Sequence, residues 1–349
     1  MKRKSFFRTH LYGCLFSAGL TLLSAFVLLD TFLLPHAIST AEDKTATVEL
    51  EAAAATETVA ETTAQTQDET AAQTQSEEEQ EAAEETPTPA VETPTPTAET
   101  VEPVLTDTSY ESANVQIEIT TLRVSDTDVY VADIQLASAD LLKTALAQGT
   151  FGTNVTETTS SIAAENDAIF AINGDYYGAN KRGYVIKNGV LYRDSVRQDA
   201  SSGDLVIYAD GSFGIIDEND VSAEDLIDSG VWQLLAFGPV LVENGTIAVS
   251  TGDEVDRSMT SNPRTAIGIV EPLHYIIVVS DGRTKQSDGL TLYELAQVMQ
   301  QYGCTTAYNL DGGGSSTMVF AGEVVNNPTT SGKKIAERAV SDIVYVGAE

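Results

Sequence analysis

The segment YNLDGGGSSTMVF, residues 308–320, sets three consecutive glycines between an acidic residue and two serines, with an apolar run on either side. Glycine loses more conformational freedom on folding than any other residue and adds no side chain to a core. Three glycines at the end of a strand pattern therefore indicate that the backbone itself is needed there. A tight turn or bulge would satisfy this need, and so would an anion-binding nest of inward-pointing N–H groups. The residues of such a nest would be Gly312, Gly313 and Gly314, with hydroxyl donors from Ser315 and Ser316.

Short runs with strand character flank this segment on both sides. Asn-Gly and Asp-Gly pairs, which supply the positive φ angles of tight turns, indicate three hairpins: 184–187 with 190–192, 205–208 with 213–216, and 239–242 with 246–249. Further strands are predicted at 115–121, 129–136, 168–172, 264–270, 275–280, 305–310, 316–320 and 339–346. Helical patterns predict helices at 137–147, 157–165 and 292–302, the last with Thr291 as N-cap and Gly303 at its end. The order of elements predicts an α+β domain, a mostly antiparallel mixed sheet with a few flanking helices.

The N-terminal residues 1–40 have the composition of an export signal. Lys2, Arg3, Lys4 and Arg8 precede an apolar stretch, 11–29, that contains no charged residue. This length is close to that of a membrane-spanning helix, and the preceding positive charge favours an N-in, C-out orientation. We therefore expect a signal-anchor, a single pass through the cell membrane with the C-terminal domain outside the cell. The alternative is a signal peptide cleaved after the small residues of 37–39, which would give a secreted protein.

Residues 41–104 form a segment rich in Ala, Thr, Glu and Pro. Between 41 and 103 it carries 17 acidic residues against Lys44 alone. With so little apolar surface to bury, this segment is predicted to be a disordered acidic linker that holds the following domain, 105–349, away from the membrane.

The composition of the predicted domain excludes several classes of function. From Val104 onward there are 34 acidic and 14 basic residues, so nucleic acid is not expected as a partner. The two cysteines, Cys14 and Cys304, lie in different regions and predict no disulfide, and Cys304 is expected in the core. Because His274 is the only histidine in the domain, a Ser-His-Asp triad or a histidine-ligated zinc site is not expected.

Polar clusters follow three of the apolar strands, where loops commonly build functional sites. The carboxylates at these strand ends are the candidates for acid–base or nucleophilic chemistry: Asp175, Asp281 and Asp311. Arg264 and Arg283 lie beside them, and each would either pair with one of these aspartates or bind an anionic ligand through its guanidinium. The Asp and Asn side chains are also candidate ligands for Ca²⁺ or Mg²⁺.

Five motifs occur in an order that resembles the phosphodiester glycosidase family, over about residues 150–348. They are AINGDYY (171–177), FGP (237–239), NPRTAIG (262–268), DGR (281–283) and NLDGGGSS (309–316). The resemblance implies hydrolysis of a sugar-1-phosphodiester, of the GlcNAc-1-phosphate type, at the glycosidic bond. It implies that the phosphate is held by an anion clamp, while Asn173, Tyr176 and Tyr177 hold the sugar. Tyr177 stands where the family pattern often has Phe.

Exported topology together with this reaction makes cell-surface, wall or exopolysaccharide glycopolymers the expected substrates. Two alternatives remain open at this point. One is a non-catalytic module that binds anionic wall glycan through the same residues. The other is a metal-assisted phosphodiesterase that cuts the P–O bond rather than the C–O bond.

Overall fold

The computed structural model describes residues 102–197, 203–236, 238–253 and 261–349, together with Thr21, Ser24, Phe26, His36 and Ala37. All of these belong to one compact unit, Met1–Asp43 with Glu102–Glu349, while Lys44–Val101 lies outside the described residues. The positions outside the described residues therefore also include Phe237, most of the predicted membrane segment and linker, and the part of the predicted cleavage site 37–39 that follows Ala37. Among the residues that are described, no helix combines the length and the apolar character needed to cross a membrane.

The described chain is built mainly from strands, with three α-helices and four short 3-10 turns. The strands are β1 His36–Ala37, β2 Val104–Leu105, β3 Ser109–Glu111, β4 Val115–Val124, β5 Thr127–Leu136, β6 Lys143–Leu146, β7 Gly152–Thr153, β8 Ala168–Asn173, β9 Val185–Lys187, β10 Val190–Arg193, β11 Asp204–Tyr208, β12 Phe213–Ile216, β13 Val231–Leu235, β14 Val240–Glu243, β15 Thr246–Ile247, β16 Arg264–Glu271, β17 His274–Ser280, β18 Thr306–Asn309, β19 Met318–Phe320, β20 Glu323–Val324 and β21 Asp342–Gly347. The helices are α1 Thr159–Glu165, α2 Ala223–Asp228 and α3 Leu292–Gln301, and the 3-10 turns are Ala139–Leu141, Ala147–Gly149, Tyr177–Ala179 and Gly313–Ser315.

Two large sheets organise these strands. A nine-stranded sheet has the order β15-β14-β18-β16-β17-β5-β4-β3-β2, and a five-stranded sheet has the order β20-β19-β8-β21-β6. Smaller sheets pair β12-β11-β13, β10-β9 and β1-β7. The pairings within both large sheets are antiparallel, which confirms the predicted α+β class with antiparallel sheets and few helices.

The side chains of β17 show how the layers are stacked. Tyr275, Ile277 and Val279 belong to a core shared with the five-stranded sheet, whereas Ile276 and Val278 pack in a second core with α3. Successive side chains of a strand point to opposite faces, so a continuous apolar run such as this one is buried on both. On the far face of the five-stranded sheet a third core includes Ile162 of α1. The layers therefore follow the order α3, nine-stranded sheet, five-stranded sheet, α1.

Most of the local predictions are confirmed. The three predicted hairpins form, and Asn188, Gly189, Asn244 and Gly245 have the positive φ angles expected of their turns. Helix α3 begins with the predicted N-cap Thr291, whose hydroxyl accepts from the Glu294 N–H while the Glu294 carboxylate accepts from the Thr291 N–H. Cys304 is buried in the core as expected.

The helix predicted at 137–147 is wrong. That segment contains two 3-10 turns separated by β6, Lys143–Leu146, which pairs with β21 at the edge of the five-stranded sheet. Alanine and leucine favour helix only as a local preference, and the pairing with β21 overrides it. Helix α2 and strand β13 were not predicted, although Ser222 caps α2 by accepting from the Asp225 N–H.

The glycine-rich segment is where the chain passes from one large sheet to the other. Strand β18 ends at Asn309 in the nine-stranded sheet, and β19 begins at Met318 in the five-stranded sheet. We call the connection, residues 310–317, the glycine crossover. It has to leave one layer and enter the next within a few residues, and this geometry brings the ends of strands from both sheets together.

Candidate functional site

Asn173, the last residue of β8, ties the two sheets together at the glycine crossover. Its side-chain Nδ2 donates to the Asp311 carbonyl oxygen at 2.7 Å. Its Oδ1 accepts from the Thr265 hydroxyl at 2.9 Å and from the Thr317 N–H at 3.2 Å. The amide is fully buried and engaged with protein groups on both sides. It therefore fixes the position of Asp311 rather than presenting its own hydrogen-bonding groups to solvent.

Each of the three glycines makes room for a different neighbour. A Cβ on Gly312 would lie 3.0 Å from the Pro263 carbonyl oxygen, and one on Gly313 would lie 2.8 Å from Nη2 of Arg283. A Cβ on Gly314 would collide with the Thr330 hydroxyl. Gly313 also has a φ of +63°, which side chains rarely tolerate. The triplet is thus required by close approach of three separate segments as well as by the turn itself.

The backbone of the crossover forms a tight turn in which four N–H groups donate to acceptors within the protein. The Gly312 N–H donates to the Asp311 carboxylate at 2.9 Å, and the Gly313 N–H donates to the Pro263 carbonyl at 2.8 Å. The N–H groups of Ser315 and Ser316 donate to the carbonyls of Gly312 and Gly313, closing a 3-10 turn. These four N–H groups are therefore engaged within the protein.

Arg338 is the side chain that encloses this turn, and the sequence prediction missed it. Its Nη2 donates to Oδ2 of Asp311 at 3.0 Å and to the Gly312 carbonyl at 3.2 Å. Its Nε and Nη2 both donate to the Ser315 hydroxyl oxygen, at 2.9 Å and 2.6 Å. The signal that singled out Arg264 and Arg283, an arginine beside a strand end in an acidic domain, also applies to Arg338.

Arg283 approaches the same turn from the loop after β17. Its Nε donates to Oδ1 of Asn262 at 3.1 Å and its Nη1 donates to the Thr330 carbonyl at 2.7 Å. Among the described residues its side chain has only these neutral acceptors, and it forms no ion pair there. Burial and the positive charge of Arg338 lower the pKa of the Arg283 guanidinium. Two guanidinium groups therefore meet at the crossover, with the Asp311 carboxylate bound to one of them.

Asp281 and Arg264 lie at the floor of the site, both buried. The Asp281 carboxylate accepts from the Asn327 N–H at 2.7 Å and from Nδ2 of Asn327 at 2.8 Å, so it holds the loop after β20. Nε of Arg264 donates to the Leu290 carbonyl at 3.0 Å, and its backbone N–H donates to the Ser280 hydroxyl at 3.0 Å. In this arrangement both side chains support the strand ends.

Asp175 belongs to a buried cluster of charges next to the crossover. Nζ of Lys187 lies 3.0 Å from Oδ2 of Asp175 and 2.8 Å from Oδ2 of Asp342. Burial and the negative charge of Asp175 raise the pKa of Asp342 to about 7, against the opposing effect of Lys187. Burial alone would lower the pKa of Lys187, but the two carboxylates raise it.

Lys187 and Asp342 were missed at the sequence level. Their signal was a single charged residue at the end of an otherwise apolar strand, which needs a charged partner if it is buried.

The two tyrosines predicted to hold the sugar have different environments. Tyr177 is buried, and its ring stacks on Phe151 with centroids 5.3 Å apart and lies 5.8 Å from Nζ of Lys187. Burial raises the pKa of its hydroxyl, which donates to the Ser341 carbonyl at 3.4 Å. Tyr176 is 46% exposed and so can offer its ring to a ligand. Ser315, in the turn, and Ser316, directly after it, are both buried.

A cavity of about 400 Å³ lies between β6, the β9–β10 hairpin and the end of α1, and Lys187 of the buried charge cluster is one of its lining residues. Its lining includes Thr144, Asn166, Asn188 and Tyr345, and none of the residues predicted for the site. Within the described ranges, no group of three or more His, Cys, Asp or Glu side chains is arranged to hold a metal ion.

Fold and site together define an α+β protein in which Arg283 and Arg338 lie around a glycine turn between two sheets. Residues 166–347 match the family model described as phosphodiester glycosidase, and the chain belongs to this family. The matched residues include all five motifs quoted above, between 171 and 316.

Two curated relatives illustrate the match. The SPbeta prophage-derived uncharacterized protein YomE of Bacillus subtilis is 32% identical over 202 residues, which cover 56% of this chain and 30% of that protein. The N-acetylglucosamine-1-phosphodiester alpha-N-acetylglucosaminidase of Mus musculus is 29% identical over 172 residues, 42% of this chain and 33% of that enzyme. The chain thus spans about a third of the length of these relatives.

The fold has a solved counterpart. The catalytic domain of the zebrafish N-acetylglucosamine-1-phosphodiester alpha-N-acetylglucosaminidase, auto-inhibited by its pro-peptide, superposes with a TM-score of 0.52 at 22% identity. The match covers 67% of this chain and 83% of that domain. At this level of identity the similarity establishes a shared fold.

Proposed function

We propose that this protein hydrolyses sugar-1-phosphodiesters of the GlcNAc-1-phosphate type at the glycosidic bond. Membership of the phosphodiester glycosidase family and the names of its relatives support this reaction. The observation that carries the proposal is the meeting of Arg283 and Arg338 at the glycine crossover. A phosphodiester is a monoanion whose oxygens match the fork of a guanidinium, so this is the substrate group that the two arginines suit.

In the proposed reaction the bond between C1 of the sugar and the phosphate oxygen breaks. Water adds its oxygen to C1 and releases one proton, and the phosphate departs with both bonding electrons as a phosphomonoester. Because phosphate is a good leaving group, the main requirements are charge stabilisation at the phosphate and a carboxylate near the oxocarbenium-like C1. Arg283 and Arg338 would supply the first requirement.

Asp311 is the carboxylate that we assign to the sugar side of the reaction. In the structure it accepts from Nη2 of Arg338 at 3.0 Å and from the Gly312 N–H at 2.9 Å. A phosphate bound by Arg338 would compete for that guanidinium and leave the carboxylate charge directed at C1. Asn173 would act as a positioning residue, since it holds the Asp311 carbonyl at 2.7 Å. The catalytic roles of Asp175 and Asp281 stay predictions, as do the substrate contacts of the remaining site residues.

The surrounding side chains suit a sugar ring. Tyr176, with 46% of its surface exposed, offers an aromatic face of the kind on which pyranose rings stack. Its neighbour Tyr177 would support this segment from the core through its stacking on Phe151. We propose that Tyr176 contacts the sugar and Tyr177 shapes the loop.

The cellular setting is part of the same proposal. The basic, apolar N-terminal region and the acidic segment that follows it support export, with the domain outside the cell and the chain anchored in the membrane. Sugar-phosphate glycopolymers of the cell surface or wall, including exopolysaccharide, are then the substrates at hand. Detection of the intact chain in a membrane fraction, with its C-terminal domain accessible to external protease, would test this location.

Hydrolysis in ¹⁸O-labelled water tests the reaction itself. The purified protein is incubated with a GlcNAc-1-phosphodiester, and we expect released GlcNAc that carries the label at C1. Label in the phosphate would instead identify a phosphodiesterase that cuts the P–O bond, and no release of sugar across pH and with or without Ca²⁺ or Mg²⁺ would contradict the proposal. Asp311→Asn should abolish turnover while retaining substrate binding. A variant with unchanged turnover would remove Asp311 from the mechanism.

A further inference from the structure

Basic side chains are concentrated around the glycine crossover. The part of the chain from Val104 onward has 14 basic residues against 34 acidic ones. Five of those basic residues lie on the two short segments that pack around the turn: Arg283, Lys285, Lys333, Lys334 and Arg338. In so acidic a domain, this clustering creates a local positive field beside the proposed phosphate site.

The two segments contact each other through the backbone carbonyls of Thr330 and Arg283. Nη1 of Arg283 donates to the Thr330 carbonyl at 2.7 Å, and Gly332 packs so closely on the Arg283 carbonyl that a Cβ there would overlap it. Lys333 follows directly on Gly332, and Lys285 is two residues beyond Arg283. The lysines therefore extend the surface that begins at the arginines.

The loop that carries Lys333 and Lys334 is fixed by one threonine. The Thr329 hydroxyl donates to the Lys334 carbonyl at 2.7 Å and accepts from the Gly332 N–H at 3.0 Å. Lys333 and Lys334 are exposed on this closed turn, and Lys285 is exposed on the other segment. Lys333 and Lys334 thus lie on a loop fixed by Thr329. Lys285 lies on the segment that contacts this loop through Arg283. We call Lys285, Lys333 and Lys334 the lysine rim.

Two of the carboxylates on neighbouring segments have partners other than the lysine rim. Glu337 accepts from the N–H and the hydroxyl of Ser160, at 3.0 Å and 2.5 Å. Asp311 is paired with Arg338. Asp288 is the one acidic residue in the stretch 283–288. This stretch also contacts Asp126 and Asp128, and both of their carboxylates pair with Arg123. The lysine rim therefore keeps positive charge that the proposed cleavage of a single phosphodiester does not use.

We propose that the lysine rim is a second anion subsite, which holds the phosphate next to the one being cleaved. The substrate would then be a glycan with repeated phosphodiester linkages rather than a molecule with a single one. This inference rests on the proposed function of the same site. The argument for the subsite is one of charge placement. An exposed ammonium group attracts a phosphate mainly through its electric field, which salt screens within about 8–10 Å, so the second phosphate has to lie close to the lysine rim.

The test compares substrates that differ only in the number of phosphates. Synthetic GlcNAc oligomers joined by 1-phosphodiester linkages, with one, two or four phosphates, are given to the full-length protein and to Lys333→Gln/Lys334→Gln. We expect kcat/KM per bond to be at least about tenfold higher for the tetraphosphate than for the monophosphate at low salt. The double variant should lose most of this preference and keep the wild-type rate on the monophosphate. Raising the salt concentration should reduce the preference of the wild type.

Lys143→Gln serves as the control. Lys143 is the first residue of β6 and pairs with Tyr345 of β21, whereas Asn173 pairs with β21 at Ile343, nearer the other end of β6. The control variant should behave as wild type on every oligomer, and all variants should share one melting temperature. A double variant with an undiminished preference for the tetraphosphate would overturn the subsite. If no oligomer is hydrolysed, the proposed function fails instead, and equilibrium binding of the tetraphosphate still decides the subsite. An affinity unchanged in the double variant would then refute it, and a loss of about tenfold would support it.

Discussion

At the scale of single residues, Gly313 is the glycine whose replacement should separate activity from folding. A methyl group there would meet Nη2 of Arg283 at 2.8 Å, and φ is +63°. We expect Gly313→Ala to cost about 1–2 kcal/mol of stability from backbone strain. It should cost more than about tenfold in kcat/KM, because the displaced guanidinium no longer lies beside the turn. Urea unfolding and GlcNAc release measure the two effects.

Gly245 provides a matched control for backbone strain. It has a φ of +73° in the β14–β15 hairpin turn, and nothing lies within 4 Å of a Cβ built on it. Gly245→Ala should therefore show a similar loss of stability with full activity. Equal loss of activity in both variants would mean that Gly313 matters only to folding.

Arg338 should be intolerant of lysine even though the charge is kept. Its guanidinium joins Asp311, the Gly312 carbonyl and Ser315 through two nitrogens, which a single ammonium group cannot reproduce. By comparison with the loss of one transition-state donor, we expect Arg338→Lys to lower kcat/KM by about 10²-fold. Steady-state kinetics on the monophosphate substrate, with Arg338→Met as the charge-removing comparison, measures this. A lysine variant within twofold of wild type would exclude a role for the forked geometry.

The site was predictable from sequence to the extent that its signals were local. Asp281 and Asp311 follow apolar strands directly, so their placement at strand ends could be predicted, and Asn173 indeed bonds to Asp311. Arg338 reaches Asp311, and Lys187 reaches Asp342, from other parts of the sequence, and only the packing of the sheets brings them together. The arrangement of N–H groups at the glycines also depended on a neighbour, Pro263, which no local pattern indicates.

At the scale of elements, the same contrast separates α3 from β6. The limits of helix α3 are marked by its own sequence. Thr291 and Glu294 form a capping box at its start, and Gly303 follows its end, so local sequence predicts where it begins and ends. Strand β6 is a strand because Thr144 and Ala145 pair with Val344 and Ile343 of β21. Its own residues favour helix, and for that reason the prediction at 137–147 failed.

The capping box of α3 should contribute to stability without affecting catalysis directly. Thr291→Ala removes the acceptor for the Glu294 N–H and the donor of the 2.9 Å bond from the Thr291 hydroxyl to the Glu294 carboxylate. We expect a loss of about 1 kcal/mol in the free energy of unfolding, with kcat/KM at 25 °C unchanged. Thr291→Ser, which retains the hydroxyl, should remain within a few tenths of a kcal/mol of wild type. Chemical denaturation of wild type, Thr291→Ala and Thr291→Ser measures these differences. Equal free energies of unfolding for all three would show that the cap does not stabilise the fold.

At the scale of the whole molecule, two buried carboxyls should make stability depend on pH. Burial and Asp175 raise the pKa of Asp342 to about 7 from an ordinary value of 3.8. Burial, followed by Glu218, raises the pKa of Asp204 to about 8, against the opposing effect of Arg197. In both cases the folded protein holds a proton that the unfolded chain releases at lower pH.

The sign of the effect follows from this difference in proton binding. Between about pH 4 and the raised pKa values, the folded state binds more protons than the unfolded state, so the free energy of unfolding falls as pH rises. Each group contributes a slope of at most about 1.4 kcal/mol per pH unit in that window. Carboxyls with lowered pKa values, such as Asp210 and Glu294, lose their stabilising effect only at more acidic pH. We therefore expect the protein to unfold at lower urea concentration at pH 8 than at pH 5.

The Asp342→Asn substitution measures how much of the pH dependence of the free energy of unfolding comes from Asp342. Asp342→Asn keeps the shape of the side chain but cannot ionise, so the fall in stability between pH 5 and pH 8 should become shallower while the ion pair of Lys187 with Asp175 remains. Asp126→Asn, at a side chain that is 91% exposed, should retain the wild-type slope. If Asp342→Asn instead has the slope of wild type, Asp342 is ionised throughout this range. The Lys187 charge would then outweigh burial in the centre of the fold, and the cluster would carry a net negative charge beside the crossover.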